Sequence, residues 1–278
     1  MAYEGHRAMF EAFGRNKYTS TGVIQWMLNN AWPSMIWHLY DWYMRPGGSY
    51  FGAKKANEPL HIQYSYDDAS VVVVNSYCRA FPGMKARAWV YNIDMREKFS
   101  KDAPLDAGED SATRVFSIPA IDGLSSTYFV RLVLEDASGK TVSTNFYWLS
   151  TKPDDLDWEQ STWFYTPEKS FAGYTALNSL PPVKLKYSAE SEVKGSEGIT
   201  RVTVENPSRN LAFAVHLMVK TVKRDEEDMR EEAEILPVIW EDNYFPLMPG
   251  EKRTVTAAYK SAEAGKNPPA VCRWEAGT

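Results

Sequence analysis

Two series of short β-segments constrain this chain more than anything else in it. At His61 the hydrophobic period becomes two: "HIQYSYDD" puts Ile62, Tyr64 and Tyr66 on one side of a strand and His61, Gln63 and Ser65 on the other. Asp67–Asp68 turn the chain and "SVVVVN" follows as a buried strand. "KARAWVYNI", "TRVFSIP", "TYFVRLVLED" and "KTVSTNFYWL" come next at short intervals, the last two joined by the hairpin signal "DASGK". This spacing predicts a β-sandwich of ~100 residues, without the Cys…Trp…Cys spacing of antibody domains. A second series starts at Val183 with "VKLKYSAE" and runs through "GITRVTVEN", "LAFAVHLMVKTV", "ILPVIWED" and "KRTVTAAY", predicting a second sandwich. Residues 151–182 lack alternation and read as a connector that packs by its aromatics, stiffened at Pro181–Pro182. "RDEEDMREEAEI" holds good helix formers. Lying between two strand candidates, it is expected to be a charged hairpin connection rather than a short helix.

The first sixty residues follow a different pattern. "YEGHRAMFEAFGRN" places Met9, Phe10 and Phe13 on one helical face, with Gly14 near its end. "SYFGAKKAN" predicts a second short helix, stopped by Pro59. Between them, Tyr18 to Tyr40 contain no Lys, Arg, Asp or Glu, and that length could cross a bilayer. Gln25, Asn29, Asn30 and Pro33 argue against a span, because unpaired polar groups in hydrocarbon cost several kcal/mol each, roughly. A strand over "TGVIQWML" and a loop over "NNAWPSM" fit better.

With 278 residues the chain is long enough for two domains or more. Apolar residues make up 44% and charged residues 24%, an ordinary globular balance. A net charge of −5 argues against nucleic acid, whose phosphates need a basic face. The two cysteines, Cys78 and Cys272, have neither zinc nor redox spacing and are expected to be free, buried thiols. "AYEGHRAMFE" contains no signal core, so an export signal would lie outside this chain.

His6, His38, His61 and His216 are scattered, and the acidic run Asp225–Glu234 lacks the pattern of a calcium loop, so no metal and no cofactor are expected. No nucleophile elbow, P-loop or dinucleotide fingerprint is present. Glu4, Glu11, Asp41 and Glu58 do not form a recognisable pair of catalytic acids. Trp26, Asn29, Asn30 and Trp32 are the binding candidates. Indole faces stack on sugar rings, amides bond to hydroxyls, and apolar walls with a few placed polar groups suit ligand sites. The competing reading, that these residues fill a core, is about as strong for them and stronger for Trp37 and Trp42.

"TGVIQWMLNNAWPSMIWHLYD", "YFGAKKANEPLHIQYSYDDASVVVVN", "NFYWLSTKPDDLDW" and "EDNYFPLMPGE" together resemble glycoside hydrolase family 2, nearest its exo-β-D-glucosaminidase branch with β-mannosidases next. The resemblance implies a mainly β chain of two immunoglobulin-like sandwiches, preceded by the last helix–strand–helix piece of a catalytic (β/α)8 barrel. Residues 1–59 would be that barrel remnant, 60–150 the first sandwich, and 151–278 the second with its connector. Residues 21–30 would be the eighth barrel strand.

In such a retaining exo-glycosidase both catalytic glutamates would precede Met1, and Glu4 does not match the nucleophile motif. The resemblance gives Trp26 and Asn30 positions lining the pocket for the terminal sugar. Retention needs two carboxylates about 5–5.5 Å apart, so the chain by itself is expected to be inactive. The implied partner is an amino-sugar oligosaccharide, with no nucleic acid and no membrane. The parent would be periplasmic or secreted, and a barrel remnant cut loose would either fold back on the first sandwich or self-associate through residues 1–59. An autonomous carbohydrate-binding or scaffold module is the alternative.

Overall fold

The structure, a computed structural model, describes residues 2–224, 230–264 and 269–274. Two helices lead, α1 (Ala2–Arg15) and α2 (Gly48–Ala56), and β-strands dominate the rest. The chain divides into two compact units. One holds Glu11–Gly22 and Ala56–Leu180; the other holds Met1–Phe10, Val23–Lys55 and Pro181–Thr278.

The first of these units is a sandwich of β1 (Leu60–Tyr64), β2 (Ser70–Asn75), β3 (Phe81–Asn92), β4 (Glu97–Ala107), β5 (Ser111–Ser117), β6 (Thr127–Glu135) and β7 (Thr141–Ser150). One sheet has the order β1-β2-β5 and the other β4-β3-β6-β7. Alternation fills the space between them. Ile62, Val71 and Val73 meet Ala86, Ala88, Val90, Leu132 and Leu134, all buried. Strand β4 was not apparent in the sequence because "EKFSKDAPLDA" carries lysines and a proline. Those are the residues an edge strand uses to refuse further partners.

By its contacts the connector groups with this unit through Leu180. Its β8 (Asp155–Leu156) and β9 (Glu168–Ser170) pair with each other, and Thr127 Oγ1 donates to Gly173 O at 2.7 Å. Its aromatics do not pack as expected: Trp158, Trp163, Phe164, Tyr165 and Phe171 are exposed.

The second unit contains β10 (Lys186–Lys194), β11 (Glu197–Glu205), β12 (Ala212–Arg224), β13 (Arg230–Glu234), β14 (Ile239–Trp240), β15 (Phe245–Leu247), β16 (Lys252–Lys260) and β17 (Pro269–Trp274). The sheet orders are β10-β11-β16-β14 and β13-β12-β15, with β17 also on β12. The charged connection has strands at its base, Lys220 opposite Glu234 through Arg224 opposite Arg230, while 225–229 lie outside the described residues. Val202, Leu217, Val219, Leu247 and Val255 form the core, and α2 adds Phe51 to it. Lys54 Nζ on the same helix donates to Trp240 O at 2.8 Å. Cys78 is an exposed free thiol, not a buried one; the Cys272 side chain lies outside the described residues.

Both N-terminal helices form where the sequence predicts them, but the deepest residues of α1 are polar. His6, Arg7 and Glu11 are buried, Phe10 and Phe13 half-buried, and Met9 exposed. No strand forms over Thr21–Leu28. A strand exists through its ladder, and without a neighbour its N–H and C=O groups turn to local partners or water.

Candidate functional site

The segment between the helices is a loop closed on itself. Leu39 N and Tyr40 N both donate to Leu28 O, at 3.0 and 3.1 Å, and Gly47 N donates to Leu39 O at 3.0 Å. Asp41 builds the turn that follows. Its Oδ1 accepts from Tyr43 N at 2.8 Å and Arg45 N at 2.9 Å, which gives the carboxylate a structural task. Arg45 then bonds Glu234 Oε2 through Nε at 2.8 Å and Nη2 at 2.5 Å. The hydrogen bond to Glu234 raises the guanidinium pKa further.

Trp26 and Trp32 present their indoles to solvent, 71% and 67% exposed. The Trp26 carbonyl accepts from Trp37 Nε1 at 2.5 Å. Asn29 Nδ2 donates to Asn30 O at 3.1 Å, which fixes the backbone between the amides. Asn30 is only 3% exposed. Its Nδ2 donates to Ser34 O at 2.6 Å, while its Oδ1 is buried with no hydrogen-bond partner among the described residues. Both ring nitrogens of buried His38 are in the same condition. Around them Ile24, Leu28, Met35, Trp42 and Tyr43 are exposed, an apolar surface of the kind that marks an interaction site.

Sequence reasoning missed a second constellation, inside the first sandwich. Glu11 Oε1 accepts from His61 Nε2 at 2.9 Å, Asn145 Nδ2 at 2.7 Å and Tyr147 Oη at 2.8 Å. Gln63 Nε2 donates to Glu11 O at 2.9 Å, and Tyr64 N donates to Tyr147 Oη at 3.0 Å. His61 Nδ1 lies 3.1 Å from Glu58 Oε2, which also accepts from Ser143 Oγ at 2.8 Å. The i, i+3 spacing of Glu58 and His61 was the one available signal; Glu11 and Asn145 are too distant in sequence to suggest it. His61 and Glu11 are almost wholly buried, so no substrate reaches them, and the cluster is a clamp on α1 rather than an active site.

All four histidines are buried. Among the described residues no group of His, Cys, Asp and Glu is placed to hold a metal ion, and no helix is long and apolar enough to cross a membrane.

Two family models match the sandwiches. The mannosidase Ig/CBM-like domain covers residues 67–152, and the exo-β-D-glucosaminidase Ig-fold domain covers 163–272. These are therefore the immunoglobulin-like domains of a glycoside hydrolase family 2 protein. Within that class the chain belongs to the exo-β-D-glucosaminidase family. It is 44% identical to an exo-β-D-glucosaminidase of Streptomyces avermitilis over 97% of its own length and 30% of the relative's. It is also 44% identical to one of Amycolatopsis orientalis, over 99% and 27%. The crystal structure of the Amycolatopsis orientalis exo-chitosanase superposes with a TM-score of 0.89 at 43% identity, covering 99% of this chain and 33% of that one. A β-mannosidase of Dictyoglomus thermophilum shares the fold, with a TM-score of 0.60 at 18% identity. The chain thus spans about a third or less of the relatives it matches.

Proposed function

We propose that this chain is the C-terminal part of a retaining exo-glycosidase that removes terminal glucosamine from chitosan-type oligosaccharides. Residues 1–59 would complete the catalytic barrel, 60–150 and 151–278 would be accessory sandwiches, and Trp26, Asn29, Asn30 and Trp32 would form a strip of the sugar pocket. The observation that carries this reading is the loop between the helices: exposed indoles beside a buried Asn30 amide oxygen without a partner. The reading is also supported by a relative whose structure is a complex with p-nitrophenyl β-D-glucosamine. The catalytic glutamates would be supplied from outside the chain, because the buried Glu11 and the turn-forming Asp41 are engaged structurally. The parent's site of action would be periplasmic or extracellular.

The test is release of p-nitrophenol from the aryl β-glucosaminide and β-mannoside. The chain alone is expected to be inactive. Joined to the upstream catalytic region of a family member, it should support turnover of the glucosaminide, reduced at least about tenfold by Trp26→Ala through lost substrate contact. Hydrolysis by the chain alone that disappears on mutating one of its own carboxylates would overturn the proposal.

A further inference from the structure

The connector builds a hairpin whose exposed face is aromatic. Strands β8 and β9 form its base, and Asp157 N donates to Pro167 O at 2.8 Å. Asp157 Oδ1 accepts from Gln160 N at 3.3 Å and caps the short turn Trp158–Gln160. At the tip, Thr162 N donates to Tyr165 O at 2.7 Å, and Ser161 Oγ and Thr166 Oγ1 lie 2.8 Å apart. These bonds fix a tight turn that raises Trp163 and Phe164 as a pair, with ring centroids 4.9 Å apart. Trp163 is 93% exposed, and Trp158 and Tyr165 on the same hairpin are exposed too. Their apolar area contributes nothing to the core, yet side-chain hydrogen bonds of Asp157, Ser161 and Thr166 help to hold the turn that displays it.

The charge of this segment narrows what covers it. Residues 151–180 carry Asp154, Asp155, Asp157, Glu159 and Glu168 against Lys152 and Lys169. Aromatic faces among carboxylates are complementary to a ligand with apolar ring faces and positive charge. Rings take up C–H faces and attract cations, and carboxylates bind ammonium groups strongly. A protein surface would supply cations without regularly spaced flat ring faces, and a neutral polysaccharide would leave the carboxylates unused.

We propose that the 155–170 hairpin is a binding platform for a cationic amino-sugar chain, a β-linked glucosamine oligomer. This rests on the glucosaminidase reading for the identity of the sugar, but it concerns residues that reading does not use. Trp163 and Phe164 grip successive sugar rings, and Asp155, Glu159 and Glu168 hold the protonated amines.

The experiment is titration of the 278-residue chain with a glucosamine hexamer at pH 5.5, followed by tryptophan fluorescence and calorimetry. The fully N-acetylated hexamer and a cellulose hexamer serve as uncharged controls. Binding is expected for the glucosamine hexamer, weakened at least about tenfold in Trp163→Ala/Phe164→Ala and by raised salt, and weaker for both controls. The exposed positions leave the melting temperature unchanged. Absence of binding would overturn the proposal, as would loss of binding only in Trp26→Ala/Trp32→Ala. Self-association that Trp163→Ala/Phe164→Ala abolishes, without any sugar effect, would overturn it in favour of a contact between copies. The aryl glucosaminide assay of the joined enzyme decides the parent activity independently, so either idea can fail alone.

Discussion

His61 Nε2 lies 2.9 Å from Glu11 Oε1, and its other ring nitrogen lies 3.1 Å from Glu58 Oε2. Both partners are carboxylates, an arrangement that favours the protonated imidazole with both ring nitrogens as donors. Burial by itself pushes its pKa down; the hydrogen bonds to Glu11 and Glu58 outweigh that and hold the pKa above the ordinary value. The stabilisation is therefore fully present below pH ~6.5, and is lost as pH rises through the elevated folded value. The first sandwich should be most resistant to urea in mildly acidic buffer and lose resistance toward alkaline pH. His61→Gln should cost about 3 kcal/mol at pH 6 and flatten that slope. A wild-type profile that rises between pH 6 and 9 would show that His61 is neutral in the fold.

Tyr147 links the same carboxylate to the sheet, donating to Glu11 Oε1 and accepting from Tyr64 N. Tyr147→Phe keeps the buried ring but leaves Tyr64 N unpaired and removes one donor from an ionised acceptor. The expected loss is about 1.5–3 kcal/mol in urea unfolding, as for a hydrogen bond to a charged group. Hydrogen exchange should accelerate in Glu11–Arg15 as that end of α1 loosens. Unchanged protection there would mean that His61 and Asn145 hold Glu11 without the tyrosine.

Two glycines should respond in opposite directions to the same substitution. A Cβ on Gly52 in α2 would sit 2.1 Å from Tyr3 O, a backbone atom that no side-chain rotation can move aside. A Cβ on Gly5 in α1 would meet nothing within 4 Å. Alanine normally favours a helix interior by ~0.5–1 kcal/mol over glycine. Gly5→Ala should therefore raise the melting temperature, while Gly52→Ala should lower stability by about 1–3 kcal/mol through the forced separation of Tyr3 and α2. Equal effects in calorimetry would contradict the close approach.

The sandwiches were legible because alternation and burial coincide: Ile62, Val73, Leu132 and Val202 are in the cores that the period of two assigns them. Helix α1 was legible as a helix but not in its facing. Periodicity ranks Met9, Phe10 and Phe13 as the inner stripe, whereas a hydrogen-bond network with partners up to residue 147 draws Glu11 inward. The Thr21–Leu28 segment has the composition of a strand and lacks the neighbour that would make it one. The three-residue strand β15 carries too few residues for a period to show. For the candidate site, residue types pointed to Trp26, Asn29, Asn30 and Trp32, but only the coordinates separate the exposed indoles from the buried amide of Asn30.

That loop also predicts how the chain behaves in solution. Ile24, Trp26, Leu28, Met35 and Trp42 are exposed within one short segment, and burying such side chains contributes ~1.5–3 kcal/mol each. Association of copies through residues 1–59 is the expected outcome, seen as a mass that rises with concentration in light scattering. Ile24→Glu/Met35→Glu should shift the chain toward monomer without lowering its melting temperature, because neither side chain supports a core. The amides of Gly22–Leu28, which have no ladder in the monomer, should exchange fast when dilute and slow as the concentration rises. A concentration-independent monomer with slow exchange across 22–28 would refute self-association through this loop and require that it fold back on its own chain.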